Sequence, residues 1–340
     1  MKIFIDNLLL TNKGGIYIYF QELLRFLNDK NCTFHVDFFD KPNHKIIPSN
    51  YAIKNKKFME RIRKSNVPSN FDIFHSSYYR LPDNNKIKVV TTVHDFTHQK
   101  YENKLKSFIN MKIKMRAIKN SDAIICISEN TKDDLLSYYK PKENQQLHVI
   151  YNGISEDYKK QKDDFGYEHY FLYVGHRVGF KNWNLALELL EKQKDFKLVV
   201  VGGDLNKEKF YKNIKPSIKN RIIFRGFVSN KDLNDLYNKA FCLFYPSSYE
   251  GFGIPVIEAM ASGCPVIAND ECKAVKEIAG NLPIYFNLKK ANFSEVFDSL
   301  KSLDRKKIIN QGLKHALNFS WDTNFSEVLK IYKSLYNGRK

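Results

Sequence analysis

No CxxC pair, HExxH run or other metal-ligand spacing occurs in the 340 residues of the chain. The five cysteines (Cys32, Cys126, Cys242, Cys264 and Cys272) are scattered. Cys126 and Cys242 fall inside apolar runs, where a free thiol packs as a small hydrophobe. A disulfide framework is therefore not expected, and a reducing cytosol is the simplest setting. No apolar stretch approaches the ~20 residues that span a bilayer. The opening MKIFID is too brief for the apolar core of a secretory signal and reads as a short buried strand. Acidic residues are also scarce, 37 against 55 lysines and arginines, which gives a formal net charge of +18.

That excess is compatible with nucleic acid, an anionic membrane surface or phosphorylated substrates. No helix-turn-helix, zinc or RNA-recognition signature accompanies it, so nucleic acid is not an expected partner. Most of the charge reads as lysine spread over solvated surface. Two segments concentrate it: KNKKFMERIRK (54–64) and KLKSFINMKIKMRAIK (104–119). The second contains no acid and mixes Leu105, Phe108, Ile109, Met111 and Met115 with lysines, as in a basic amphipathic helix. It reads either as a surface for anionic lipid or as a solvated face whose apolar side packs on a sheet.

What is present is an alternation of strand-like and helix-like segments, the pattern of parallel sheets covered by helices. In the first half, residues 2–5, 33–39, 71–76, 88–93, 123–128 and 148–152 read as strands. IYIYFQELLRFL (16–27) and TKDDLLSYY (131–139) read as helices, the latter capped by Ser128 or Asn130. The polar stretch 155–168 holds little that could be buried, and the same rhythm restarts after it. There, residues 170–175, 197–203, 221–226, 241–246, 265–268 and 283–286 read as strands, separated or followed by NWNLALELLEK, KDLNDLYNKA and GIPVIEAMAS. The expected fold is α/β, two successive doubly wound domains with ligands bound outside the carboxyl ends of the strands.

Candidate chemistry gathers at the junctions between strands and helices. Gly14 and Gly15 precede the first helix, where backbone N–H groups can approach an anion or simply form a turn. His94 and Asp95 follow a buried strand; His94 either bonds a substrate hydroxyl or caps the strand end. Arg177 and Lys181 lie between a strand and a helix and could grip a diphosphate, the alternative being a solvated basic turn. The loop SSYEGFG needs backbone freedom at Gly251 and Gly253, and Pro255 suits the first turn of the helix after it. The helix start supplies positive potential. Glu250 lies in the loop and Glu258 in the helix, carboxylates better matched to sugar hydroxyls than to phosphate oxygens. Singly, each could be an ordinary loop acid or a helix-dipole partner.

This arrangement resembles the retaining glycosyltransferases of the GT-B fold, glycosyltransferase family 4. Glu250 and Glu258 stand in that family's E-x7-E pattern, EGFGIPVIE, followed by AMASGCPVIA. GGI (14–16), VHD (93–95), SEN (128–130), YNGI (151–154), VGHRVGFKN (174–182), FRGFVSNKDLNDLY (224–237) and FSW (319–321) extend the likeness along the chain. The RVGFK spacer is shorter than in many relatives, and GGIYIY lacks a further glycine that many carry.

The resemblance implies two Rossmann-like domains, 1–154 on the acceptor side and 155–319 binding a nucleotide sugar, with a helix over 320–340 packing back on the first. It implies that Glu258 binds ribose hydroxyls and that Glu250 lies by the donor sugar. The amides of Gly251, Phe252, Gly253 and Ile254 would line the sugar and diphosphate, and Arg177 and Lys181 would neutralise the leaving group. His94 would lie near the donor sugar, Gly15 near the diphosphate, and Gly226–Val228 beside the base. No D-x-D motif of the cation-holding GT-A type occurs, so no metal and no other cofactor is expected. The implied activity is a retaining hexosyl transfer from a UDP-, GDP- or dTDP-sugar to a glycan or lipid-diphosphate-linked saccharide. Its setting would be bacterial O-antigen, lipopolysaccharide or capsule assembly, in the cytoplasm or on the inner face of its membrane. A nucleotide-sugar epimerase of the same architecture is the main enzymatic rival, and the E-x7-E block argues against it. A glycan phosphorylase would need a pyridoxal-binding lysine, for which no candidate is found.

Overall fold

The computed structural model describes residues 1–8, 14–39, 50–101, 103–161, 166–177, 179–203, 214–290 and 293–338. Residues 9–13 and the stretch 162–165 lie outside them. The chain divides into two units, Met1–Gly153 with Ser320–Lys340, and Ile154–Phe319.

The first unit is built on a seven-stranded parallel sheet. Its strands are β1 (Ile3–Asn7), β2 (Phe34–Phe38), β3 (Tyr51–Ile53), β4 (Ile73–Ser76), β5 (Lys88–Val93), β6 (Ala123–Cys126) and β7 (Gln146–Val149), in the order β3-β2-β1-β4-β5-β6-β7. Strands covered on both faces must be apolar on both faces, hence continuous runs such as IFI and AIIC. Helix Gly15–Asp29 packs Tyr19, Phe20, Leu23 and Leu27 on one side of this sheet beside helix Trp321–Asn337, which buries Trp321, Phe325, Val328 and Tyr332. Polar ties fix that last helix in the unit. Tyr332 Oη lies 2.6 Å from His75 Nδ1, Asn324 Nδ2 donates to the Tyr151 carbonyl at 2.6 Å, and Arg25 pairs with Asp322 at 2.6 Å.

Three local outcomes differ from the sequence reading. The strand expected at 148–152 runs over Gln146–Val149, because those four residues are the ones with ladder partners in Ala123–Cys126. β3 escapes a burial-based reading since its three residues are largely exposed. Helix Lys104–Lys119 buries Ile113, Lys114, Ala117 and Ile118, while Leu105, Phe108 and Ile109 stay 71%, 56% and 49% exposed. The inward Lys114 donates to the Asp95 carbonyl at 2.5 Å and to Gln99 Oε1 at 3.2 Å, with its ammonium 4.3 Å from the centre of the Phe96 ring. Burial lowers its pKa to about 8.

The second unit carries a six-stranded parallel sheet in the order β10-β9-β8-β11-β12-β13. Its strands are β8 (Tyr170–Val174), β9 (Lys197–Val201), β10 (Ile222–Gly226), β11 (Cys242–Tyr245), β12 (Val266–Asn269) and β13 (Ile284–Phe286). The order reverses between β8 and β11. In such sheets a crevice opens there, because the chain leaves the two neighbouring strands toward opposite faces.

Gly153 is fixed by close approach: a Cβ built on it would lie 2.1 Å from the backbone nitrogen of Trp321. Backbone cannot yield as a side-chain tip can. Gly153→Ala should therefore cost at least about 1–3 kcal/mol, read as a lowered denaturation midpoint at unchanged slope. An unchanged midpoint would disprove the contact.

Candidate functional site

The loops leaving β8 and β11 are fastened to one another. After β8 the chain makes a short 3-10 turn, Gly179–Lys181, and then Asn182 takes a left-handed conformation (φ 49°) before helix Trp183–Lys192. Asparagine tolerates that region better than most side chains. Its amide nitrogen donates to the Pro246 carbonyl and to Ser248 Oγ, both at 2.7 Å, and Ser248 N donates to the Phe180 carbonyl at 2.8 Å. Asn269, at the end of β12, adds a bond to the Ser247 carbonyl at 3.2 Å.

This fastening sets Lys181 Nζ against Glu250 Oε1 at 2.5 Å, with the two side chains only 15% and 13% exposed. Charge-assisted bonds of this kind are short and gain strength where water is partly excluded. The Tyr245 hydroxyl, at the end of β11, bonds the Glu250 carboxyl and lies 3.5 Å from the Lys181 ammonium. Burial, reinforced by the Glu250 charge, keeps this phenol protonated. Tyr173 in β8 donates to the His176 carbonyl at 3.0 Å and approaches that of Lys181 at 3.3 Å.

Arg177 takes another direction. Its Nη1 donates to the Gly202 carbonyl at 3.1 Å, and its guanidinium stands 5.3 Å from the centre of the Phe224 ring. The basic pair expected from the sequence is thus anchored at two places, Lys181 by the β11 loop and Arg177 after β9. Burial, then the charges of Lys181 and Arg177, lower the His176 pKa and favour its neutral form.

The loop after Glu250 leads into helix Ile254–Ala261. Gly253 caps it at φ 105°, and a Cβ there would meet Val275 Cγ2 at 3.2 Å. Phe252 is buried and packs edge-on against Phe319, ring centres 6.0 Å apart, so its side chain anchors the loop. Gly251 and Ile254 are half-buried beside it, with Pro255 in the first turn. Gly226 ends β10 and accepts from Gly202 N at 2.6 Å, followed by a 49% exposed Phe227 and a half-buried Val228.

Glu258 lies on helix Ile254–Ala261. It is 5% exposed and turned against two phenols. Tyr237, on helix Asn230–Lys239, donates to Glu258 Oε2 at 3.1 Å, and the Tyr158 hydroxyl, which donates to Asn230 Oδ1 at 3.3 Å, lies close enough to act on the carboxyl. Burial raises the Glu258 pKa to about 7, and the two hydroxyls oppose that rise only in part. Neither tyrosine is singled out by the sequence reading. The available signal was Tyr237 at a core position of an amphipathic helix, where a phenol needs a polar partner.

His94 follows β5 in the first unit. It is 6% exposed, its backbone N–H bonds the Tyr79 hydroxyl, and its ring meets Tyr19 edge-on at 5.1 Å. Burial lowers its pKa to about 4, so the imidazole is neutral near pH 7. Its Nε2 has no partner among the described residues. Gly15 opens helix Gly15–Asp29, capped by Gly14 in an extended conformation. Among the described residues, no group of three or more His, Cys, Asp or Glu side chains is disposed to hold a metal ion.

A carboxyl whose pKa is higher folded than unfolded takes up a proton on folding between those values. The Glu258 contribution is therefore most favourable in acid and is lost as pH rises from about 4.5 through about 7. Glu258→Gln should be more stable than the parent at pH 8, by up to about 3 kcal/mol, and the gap should close toward pH 5. Thermal scans across that range check the sign; a variant less stable at pH 8 would contradict it.

Comparison with known proteins bears on this geometry. The family model described as Glycosyltransferase Family 4 matches residues 14–158, and that described as Glycosyl transferases group 1 matches residues 154–315. The O-antigen chain mannosyltransferase RfbU of Salmonella typhimurium is 32% identical over 202 residues, covering 58% of this chain and 56% of that protein. The chain thus spans just over half the length of that relative. The O-antigen chain mannosyltransferase B of Escherichia coli is 24% identical over 286 residues, covering 77% of this chain and 74% of that one. In fold, the chain is similar to sucrose-phosphate synthase from Thermosynechococcus elongatus (TM-score 0.80, 16% identity, 98% and 99% of the two chains covered). It is likewise similar to Anabaena Alr3699/HepE in complex with UDP-glucose (TM-score 0.75, 15% identity, 98% and 100% covered). With two parallel-sheet units and consecutive family matches over nearly all its length, the chain belongs to the family 4 type of GT-B glycosyltransferases.

Proposed function

We propose that the chain is a retaining, metal-independent hexosyltransferase that moves a hexosyl unit from a UDP-, GDP- or dTDP-sugar to a saccharide acceptor in bacterial surface-polysaccharide assembly. The observation that carries this reading is the Lys181–Glu250 pair at the β8/β11 strand-order reversal, beside the start of helix Ile254–Ala261. Transfer breaks the bond between the anomeric carbon and the diphosphate oxygen, which keeps the electron pair, and joins that carbon to an acceptor hydroxyl oxygen, whose proton passes to the departing diphosphate. Negative charge grows on the leaving group and positive charge on the sugar. An ammonium and helix N–H groups suit the first, and an adjacent carboxylate suits the second. Arg177 adds a second cation for the diphosphate. The backbone from Gly251 to Ile254 lines the donor, Gly226 to Val228 flank the base, and Glu258 takes the ribose hydroxyls. His94 bonds the donor sugar as a neutral imidazole, and Gly15 approaches the diphosphate. Relatives named as O-antigen mannosyltransferases and a structural neighbour solved with UDP-glucose support the substrate class.

The reading extends to an anionic membrane surface bearing a lipid-diphosphate-linked acceptor. No helix among the described residues is long and apolar enough to cross a membrane. Helix Lys104–Lys119 instead presents Leu105, Phe108 and Ile109 to solvent among lysines, and Phe58 and Met59 are 85% and 54% exposed within the other basic segment. Apolar side chains that insert and lysines that pair with lipid phosphate, at ~1 kcal/mol each, are the two parts of interfacial binding.

Glu250→Ala and Lys181→Ala should each slow transfer by about 100-fold or more, measured as nucleotide released with acceptor present. Full activity in both would refute the site. In co-sedimentation, the chain should bind phosphatidylglycerol vesicles and not neutral ones, and Leu105→Asp with Phe108→Asp should abolish that binding. Equal binding to both vesicles, or no loss in the double variant, would refute the membrane part.

A further inference from the structure

We propose that Tyr237 and Tyr158 are positioning residues for Glu258, their hydroxyls holding its carboxylate ionised and oriented so that the nucleoside part of the donor binds only to the charged form. The inference rests on the preceding reading, in which Glu258 meets ribose hydroxyls.

The geometry is that of a buried carboxyl stabilised by hydroxyls instead of a cation. Glu258 receives the Tyr237 hydroxyl on Oε2 at 3.1 Å, while the Tyr158 hydroxyl, which donates to Asn230 Oδ1 at 3.3 Å, acts on the carboxyl from nearby. The two rings meet edge-on, 6.1 Å apart, so each phenol restricts the other. A carboxylate offers about four lone-pair sites, so the Tyr237 bond leaves room for ligand hydroxyls. Burial and the Glu258 charge keep both phenols protonated, which preserves them as donors.

Among the described residues, the surroundings supply no cation to take the place of these hydroxyls. From the segment before β8 come Tyr158 and the neighbouring Asp157, a like charge acting through Tyr158. Beyond helix Ile254–Ala261, Cys264 lies near Tyr237, its thiol pushed up to about 12 by burial. Helix Arg305–Ala316 sets Gly312 against Met260, and helix Lys273–Ala279 sets Val275 and Ile278 against Gly253. No cation acts on the Glu258 carboxyl among the described residues. The two tyrosines are not equivalent, because the Tyr158 hydroxyl donates to Asn230 Oδ1 at 3.3 Å. Its proton goes to Asn230, whereas that of Tyr237 is committed to Glu258.

The test is calorimetric binding of UDP-glucose, GDP-mannose and dTDP-glucose to the full chain between pH 5.5 and 9. These donors carry no terminal phosphate that would titrate in that range. For the donor that binds, affinity should fall toward tenfold per pH unit below a midpoint near 7. Tyr237→Phe should move that midpoint upward by about a unit and recover near-parent affinity at pH 9, and Tyr158→Phe should move it less. Glu258→Gln should bind weakly with no midpoint. A merely structural role would lower affinity at every pH and leave the midpoint in place. Coincident midpoints in the parent and Tyr237→Phe, or pH-independent binding in the parent, would overturn the proposal. Failure of the parent to bind any nucleotide sugar at any pH would overturn the underlying reading, and this inference with it.

Discussion

The constraint on which the second unit depends is the fastening of the β8 loop to the β11 loop by Asn182 and Ser248. A parallel sheet whose strand order reverses leaves two loops diverging from adjacent strands, and nothing in the sheet itself fixes the distance between them. Here one side-chain amide, held at a positive φ, closes the gap and makes the lysine of one loop a neighbour of the glutamate of the other. The backbone conformation at residue 182 costs some strain. Three hydrogen bonds across the loops and the helix that follows offset it.

The two glutamates of the E-x7-E pattern occupy opposite electrostatic settings. Glu250 is partly solvated and has a cation in contact, so its charge is compensated from the outset. Glu258 is enclosed and has only hydroxyl hydrogens, so its charge is tolerated more than stabilised. A carboxylate kept in that condition is primed for hydroxyl-bearing ligands, whose bonds it lacks when alone. It also subtracts from the stability of the unliganded fold, a trade common where sites are built for binding.

Much of the architecture was legible because parallel strands advertise themselves as continuous apolar runs. Ile124–Cys126, Leu198–Val201 and Leu243–Tyr245 leave no other economical place than a covered sheet. The glycine loop and the helix that starts at it were legible for a local reason, since backbone conformation at Gly253 and the position of Pro255 are set within a few residues. What was not legible depends on contacts distant in sequence. β3 is a strand only because Val36–Phe38 lie beside it. The phenols on Glu258 come from positions 158 and 237, and nothing near either announces a carboxyl partner. Lys181 reads as a phosphate ligand by type, and its bond to Glu250 appears only once two strands are neighbours.

Lys114 shows how few residues separate a surface from a site. It lies in a helix whose outer side carries exposed leucine, phenylalanine and isoleucine, yet its own ammonium is bound to the backbone of Asp95, the residue after His94. The helix and the histidine loop are thereby one mechanical piece. The link is a single buried ammonium, held by the main-chain carbonyl of Asp95 and flanked by the Phe96 ring and the Gln99 side chain. Whatever load the outer side of that helix bears is felt at position 95.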